Sequence, residues 1–120
     1  MREVKMPSGA TLKITPAPFS ESKALYQALL REVKGIPINK DMPMVELYKS
    51  LYTSAFSSAE VEKALWPCMS RCLYNDLKVT PDTFEPVEAR QDYEQVCIEV
   101  AKENAGPFAN RLYAELKLSL

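Results

Sequence analysis

The chain has 120 residues, of which 47% are apolar and 26% charged, an ordinary globular composition that argues against disorder. Its 15 basic and 16 acidic side chains leave a formal net charge of −1, so no long-range field attracts nucleic acid or an anionic membrane. The absence of histidine and the presence of only three glycines exclude His-dependent catalytic sites, His-based metal sites and glycine-rich phosphate loops.

Residues 3–15 predict a β-hairpin, because apolar and polar residues alternate on both sides of a turn. In that turn Pro7 presets φ and Gly9 tolerates a positive φ. An isolated hairpin is marginal in water, so it is expected to lie on a helical core, and its open edges also offer pairing groups to another chain. The alternating apolar residues are Val4, Met6, Leu12 and Ile14.

Two helices are predicted after the hairpin. The first covers residues 21–34, with Ser20 as its N-cap and Gly35 as its C-terminal stop. Residues 35–43 contain two prolines and are expected to form an ordered apolar loop. The second helix is capped by Asp41 and has apolar residues at helical spacing. These residues are Met44, Leu47, Tyr48, Leu51, Tyr52 and Ala55.

A third helix is predicted from a capping box, with Ser57 as the cap and Glu60 three residues later. Pro67 lies inside its pattern and either kinks the helix or divides it into two. Residues 75–84, which follow, are predicted to be a loop. The apolar face of the helix carries Val61, Leu65, Met69 and Cys72.

A fourth helix is predicted to open at Pro86 and to end at residues 104–107, where Gly106 and Pro107 precede a fifth helix. Its apolar face carries Ala89, Tyr93, Val96, Cys97 and Val100, and its solvated face carries Glu88, Gln95, Glu99 and Lys102. The chain is therefore predicted to be mainly α (α+β by strict count). An N-terminal hairpin over residues 1–16 precedes about five helices over 17–120, in one compact domain.

The residue pattern predicts neither a catalytic nor a metal site. Cys68 and Cys72 share a helix face and Cys97 is a third thiol, but no histidine can supply a fourth zinc ligand. We therefore interpret all three as buried packing residues. The carboxylates are spread over helix surfaces in pairs such as Glu99 with Lys102. We expect no enzymatic activity and no cofactor.

Nucleic acid and membranes are not expected partners either. The basic residues are scattered, and the third helix starts with Glu60 and Glu62, which repel phosphates. The N-terminus is charged where a signal peptide is apolar, and no apolar stretch approaches the length of a membrane span. An odd number of cysteines suggests reduced thiols, so we expect a soluble cytoplasmic protein.

With nucleic acid and membranes set aside, other proteins are the expected partners. Six residues near helix ends or beside apolar stripes are candidates to bind them. Methionine and aromatic side chains are enriched at protein interfaces and adapt to varied partners. Each of them also has an alternative role, which is to complete the core. The six residues are Met42, Met44, Phe56, Trp66, Phe108 and Tyr113.

As a whole, the layout resembles the small tail assembly chaperones of long, non-contractile-tailed bacteriophages and related prophage elements. The similarity rests on the opening Val4-to-Gly9 hairpin, on Pro18-Phe19 before the first helix, and on closing helices with Phe84, Tyr93, Val96 and Pro107-Phe108. It implies a mainly helical protein of the host cytoplasm that binds the tape-measure protein and helps tail-tube protein polymerise. It also implies self-association into spirals or rings, and it brings no catalytic residues.

A second interpretation stays open beside this one. The chain could be a generic helical adaptor or regulatory protein of phage or bacterial origin, since no single motif is specific to the chaperones. Self-association would favour the chaperone interpretation, because coating a long rod needs repeated contacts between copies.

Overall fold

A computed structural model of the chain describes residues 2–33 and 58–119, with side-chain placement for residues 2–31 and 58–106. The elements, in chain order, are β1 (Arg2–Lys5), β2 (Thr11–Ile14), α1 (Phe19–Val33), α2 (Ala59–Met69), β3 (Leu73–Tyr74), β4 (Leu77–Lys78), a 3₁₀ helix (Pro81–Phe84) and α3 (Val87–Ser119). The apolar loop and the second helix predicted between residues 35 and 55 lie outside the described residues.

The predicted N-terminal hairpin is confirmed. β1 and β2 pair antiparallel, with Val4 opposite Leu12. Within the turn the Met6 N–H donates to the Ala10 carbonyl at 2.8 Å, and Gly9 has a φ of +95°. A side chain is strained at that φ, so glycine is the residue that closes this turn at little cost.

The hairpin is half of a larger sheet, and the predicted loop over residues 75–84 is wrong. β3 and β4 form a second hairpin, and the sheet is antiparallel with the order β1-β2-β3-β4. The two turn residues, Asn75 and Asp76, both have positive φ, at 49° and 67°. This is the backbone of a type I′ turn, which the short polar side chains of asparagine and aspartate tolerate.

The boundaries of α1 and α2 differ from the predicted ones. α1 begins at Phe19 rather than at residue 21. The N-cap of α2 is Ser58, whose side chain accepts the Val61 N–H at 3.4 Å, so the cap lies one residue later than predicted and Glu60 is not at the capping-box position. α2 continues through Pro67 as one helix and ends two residues later, so the predicted face residue Cys72 lies beyond it.

The predicted break between a fourth and a fifth helix is also wrong. α3 runs without interruption for 33 residues and passes through Gly106 and Pro107. Val100, Ala101 and Ala105 are fully buried just before this point, so packing holds the chain in a helical path. A proline inside a helix lacks an N–H donor and crowds the carbonyl four residues earlier, so the continuous helix has a local cost that this packing offsets. Three α-helices therefore occur within residues 2–33 and 58–119, where four of the predicted helices lie, and the remaining predicted helix falls outside the described residues.

One hydrophobic core joins these elements. The inner face of the sheet and the apolar faces of α1, α2 and α3 enclose it. Its largest fully buried side chains are Leu12, Ile14, Leu25, Leu29, Val61, Leu65, Met69, Val79 and Val96. Of the helices in the described part of the chain, none has a stretch long and apolar enough to cross a membrane.

Candidate functional site

A concavity lies where both hairpins meet the start of α3. It is an open cleft of about 630 Å³. The turn of the first hairpin, the β3–β4 hairpin and the 3₁₀ helix form three of its sides, and the first turn of α3 forms the fourth. Its lining residues are Ser8, Gly9, Ala10, Tyr74, Asn75, Leu77, Asp82, Thr83, Pro86, Glu88 and Ala89.

A buried carboxylate holds these walls together. Asp92, on the second turn of α3, is 0% exposed and accepts hydrogen bonds from the Ser8 N–H at 3.0 Å and from the Ser8 hydroxyl. The Tyr74 hydroxyl donates a third, at 2.6 Å. Burial raises the pKa of Tyr74, and the hydrogen bond to Asp92 adds to that effect. One helix residue thus positions both hairpins.

Aromatic rings pack behind the cleft around Phe84, the last residue of the 3₁₀ helix. Its ring meets those of Tyr93, Tyr74 and Trp66 edge-on, with centroid distances of 5.0, 6.2 and 6.4 Å. Such contacts add to the burial of apolar surface and make this wall rigid. The residues behind the cleft therefore form a packed aromatic cluster.

One large exposed apolar side chain lines this cleft. It belongs to Leu77, which is 73% exposed. Among residues with described side chains, Val87 and Phe19 are comparably exposed large apolar residues, but neither is a lining residue. An exposed apolar side chain at a concavity is typical of a binding surface.

The charge of the cleft is one-sided. Its two charged lining residues, Asp82 and Glu88, are both acidic, and Asp92 lies beneath them. A smaller groove between α1 and α2 has lining charges of both signs, which are Glu21, Arg31, Glu60 and Lys63. There Glu21 is already bound by the Arg71 guanidinium, at 2.8 and 3.1 Å. Of these two concavities, the cleft at α3 is the one whose charged lining residues have a single sign.

Of the six predicted partner-binding residues, the structure places the side chain of one. Trp66 is half-buried on α2, with its ring against Phe84 behind the cleft. Met42, Met44 and Phe56 lie outside the described residues, and Phe108 and Tyr113 lie on α3 beyond its described side chains. The structure thus does not test whether the six form one surface.

The three thiols are buried packing residues, as predicted. Cys68, Cys72 and Cys97 are all free and buried, and the Cys97 sulfur lies 4.0 Å from that of Met69. Burial raises the pKa of Cys68 and of Cys97 to about 12 and raises that of Cys72 as well, so all three are protonated and unreactive near neutral pH. Within the described residues, no three potential ligand side chains converge in a way that could hold a metal ion.

The prediction that Glu99 lies on a solvated face is wrong. Its side chain is buried and pairs with Arg2, and the Gln95 amide donates to it at 2.9 Å. The predicted partner Lys102 does approach it, at 3.9 Å. Asp92 and Glu99 lie on the surface of α3 that faces the N-terminal hairpin. The periodicity of one helix does not reveal which other element covers a given face.

Sequence reasoning also missed Asp92 and Leu77. One signal for Asp92 was available, because it lies three residues after Ala89 and four before Val96, inside the predicted buried stripe. A carboxylate at such a position needs donors from another element. No comparable signal marked Leu77, since its exposure depends on where the sheet ends.

Comparisons with protein-family models, with curated proteins and with solved structures gave no match to this chain.

Proposed function

We propose that this protein is a non-enzymatic binding protein that holds an apolar, positively charged segment of a partner in the cleft at the start of α3. The observation that carries the proposal is the exposure of Leu77 in a cleft whose charged lining residues are all acidic. Apolar contact supplies affinity, and Asp82 and Glu88 select lysine or arginine on the partner.

The resemblance to tail assembly chaperones gives this partner a class. A tape-measure protein is a long helical rod, and an amphipathic helix docks with one apolar stripe in a groove and basic residues along its border. We therefore propose that the chain binds the tape-measure protein, keeps it soluble and aids polymerisation of the tail tube. A generic adaptor would use the same cleft for a different helical partner.

Peptide binding tests this proposal. The probes are fluorescent peptides that tile the longest helical protein encoded beside this chain's gene, and the readout is fluorescence anisotropy. Leu77→Ser and the double variant Asp82→Lys/Glu88→Lys are each expected to weaken binding about tenfold or more. The matched controls, Phe19→Ser and Glu62→Lys, change an exposed apolar and an exposed acidic residue elsewhere, and should leave binding unchanged.

Two results would count against the proposal. Equal binding by the cleft variants and the controls would remove the cleft as the site. Binding of acidic peptides in preference to basic ones would contradict the role of Asp82 and Glu88. Cleft-dependent binding that is limited to peptides from a different protein would favour the adaptor interpretation.

A further inference from the structure

We propose that β1 is a self-pairing edge, through which two copies of this chain join their sheets antiparallel about a two-fold axis at Val4. The surface lies on the far side of the sheet from β4. The pairing goes beyond the proposed function and does not depend on it, because a two-fold contact at one edge joins two copies and then closes.

The hydrogen-bond pattern of the hairpin determines which backbone groups are free at this edge. The Met6 N–H bonds to the Ala10 carbonyl, and bonded and non-bonded pairs alternate along an antiparallel ladder. Glu3 and Lys5 therefore point their N–H and C=O groups away from β2. The Asn75 N–H bonds to the Thr11 carbonyl at 2.9 Å, which shows that Thr11, opposite Lys5, indeed faces β3 instead of β1.

Within residues 2–33 and 58–119, no strand pairs with the outer side of β1. Glu3 and Lys5 are exposed and Val4 is half-buried. β1 contains neither a proline nor a bulge, two devices that prevent pairing at sheet edges. The opposite edge is shorter, because β4 has two residues, Leu77 and Lys78. β1 is therefore the edge that can form the longer ladder.

The charges on β1 select one register. With Val4 on the two-fold axis, Glu3 of each copy lies opposite Lys5 of the second copy, and each of these two pairs exchanges both of its backbone hydrogen bonds. A register centred on Glu3 would place Glu3 opposite Glu3. A register centred on Lys5 would place lysines opposite each other and Pro7, which lacks an N–H, opposite Glu3.

The pairing also extends a row of alternating charge across the outer face of the sheet. Within one copy, Glu3 lies opposite Lys13, and the Lys13 amine donates to Asp76 at 2.7 Å. In the pair, Lys5 of the second copy continues this row on the other side of Glu3. Charged residues on an edge usually oppose pairing. Here their alternating sign permits one register and disfavours its neighbours.

The test uses the full-length chain in sedimentation velocity across micromolar to millimolar concentrations. The wild type is expected to show a concentration-dependent monomer–dimer equilibrium. Glu3→Lys and Lys5→Glu each place like charges opposite one another twice, so each should raise the dimer dissociation constant about tenfold or more. Glu62→Lys, a charge-matched change on α2, should leave it unchanged.

Mixing the two single variants provides the decisive measurement. In an equimolar mixture, every pair across a mixed dimer is again of opposite sign, so association should return to the wild-type level. The double variant Glu3→Lys/Lys5→Glu should also dimerise. Thermal unfolding of each variant checks that the hairpin still forms, because Glu3→Lys places two lysines side by side within one copy.

A wild-type chain that stays monomeric throughout the range would overturn the proposal. So would single variants that dimerise as the wild type does, or a mixture that fails to associate. Peptide binding to the cleft, measured at concentrations where the chain is monomeric, should be the same in all edge variants. A negative result for β1 pairing can therefore be distinguished from a negative result for peptide binding in the cleft.

Discussion

The Tyr74 hydroxyl donates a hydrogen bond of 2.6 Å to the carboxylate of Asp92, and this contact links β3 to α3 beneath the candidate cleft. The same carboxylate accepts the backbone N–H and the hydroxyl of Ser8, so a single side chain holds the turn of one hairpin and a strand of the other. Its burial makes these donors necessary, because an unpaired carboxylate in the core is costly.

We expect Asp92→Ala to lower the free energy of unfolding by about 2–4 kcal/mol, because it leaves the Ser8 N–H and the Tyr74 hydroxyl without their acceptor. Tyr74→Phe removes one donor and should cost about 1–2 kcal/mol. Urea unfolding followed by circular dichroism measures both. Asp92→Asn keeps one acceptor oxygen and should fall between wild type and Asp92→Ala; a loss as large as that of Asp92→Ala would show that the charge, rather than the acceptor, is required.

The ion pair between Arg2 and Glu99 gives a second prediction. Glu99 is 6% exposed, so Arg2→Met removes the positive charge that pairs with a buried carboxylate. This change should lower the free energy of unfolding by about 1–2 kcal/mol. The double variant Arg2→Met/Glu99→Met should recover part of that loss, since it removes the charge that needed a partner. A double-mutant cycle, measured by chemical denaturation, gives the coupling energy between Arg2 and Glu99. If the losses of stability in the two single variants simply add up in the double variant, the prediction is wrong.

Replacing Gly9 and replacing Gly106 by alanine should change the stability of the protein in opposite directions. Neither Gly9 nor Gly106 has an atom within 4 Å of an added Cβ, so space is not the obstacle at either position. Gly9 has a φ of +95°, so Gly9→Ala should cost about 1–2 kcal/mol through backbone strain. Gly106 is helical, so Gly106→Ala should stabilise the protein by about 0.5–1 kcal/mol. Thermal melts test both, and destabilisation by Gly106→Ala would argue against a continuous α3.

Alkaline pH should destabilise the protein through its thiols. Burial raises the pKa of Cys68 and Cys97 from 9.0 to about 12. Below pH 9 each thiol is protonated in both states and contributes no pH dependence. Above it, the unfolded chain loses protons that the folded chain keeps, so stability falls progressively between pH 9 and pH 12.

The expected slope is about 1.4 kcal/mol per pH unit for each thiol. Cys97→Ala should reduce the slope of stability against pH by the contribution of one proton. This reduction is expected whatever the substitution does to stability at neutral pH. Chemical denaturation at several alkaline pH values measures this difference in slope. Parallel curves for variant and wild type would show that Cys97 does not titrate differently in the two states.

Much of the local structure was predictable from residue spacing. The alternation around Gly9 predicted the first hairpin, and the four-residue spacing of Val61, Leu65 and Met69 predicted the buried face of α2. The candidate cleft was not predictable in this way. It depends on Leu77 and Asp92, whose environment is set by contacts with elements far away along the chain.

The stop signals in the sequence were the least reliable guide. Gly106 followed by Pro107 is a common helix ending, yet α3 continues, because the buried residues before it bind the helix to the core. At Gly106 and Pro107, tertiary packing therefore outweighed a local preference worth a few kcal/mol or less. Asn75 and Asp76 differ, because their positive φ values agree with the local preference of these residues for a tight turn. The strands on either side of that turn have only two residues each, which is too short for alternation to indicate a hairpin.

The sequence by itself determined the type of surface this protein has. It contains no histidine, and the apolar faces predicted for its helices include Cys97, which the structure buries. Only the tertiary structure decided that Asp92 and Glu99 are buried, that Leu77 is exposed at an acidic cleft and that β1 is an edge strand of the sheet formed by the described residues. The physical reason is that periodicity shows which face of an element is apolar, whereas burial depends on which other element covers that face.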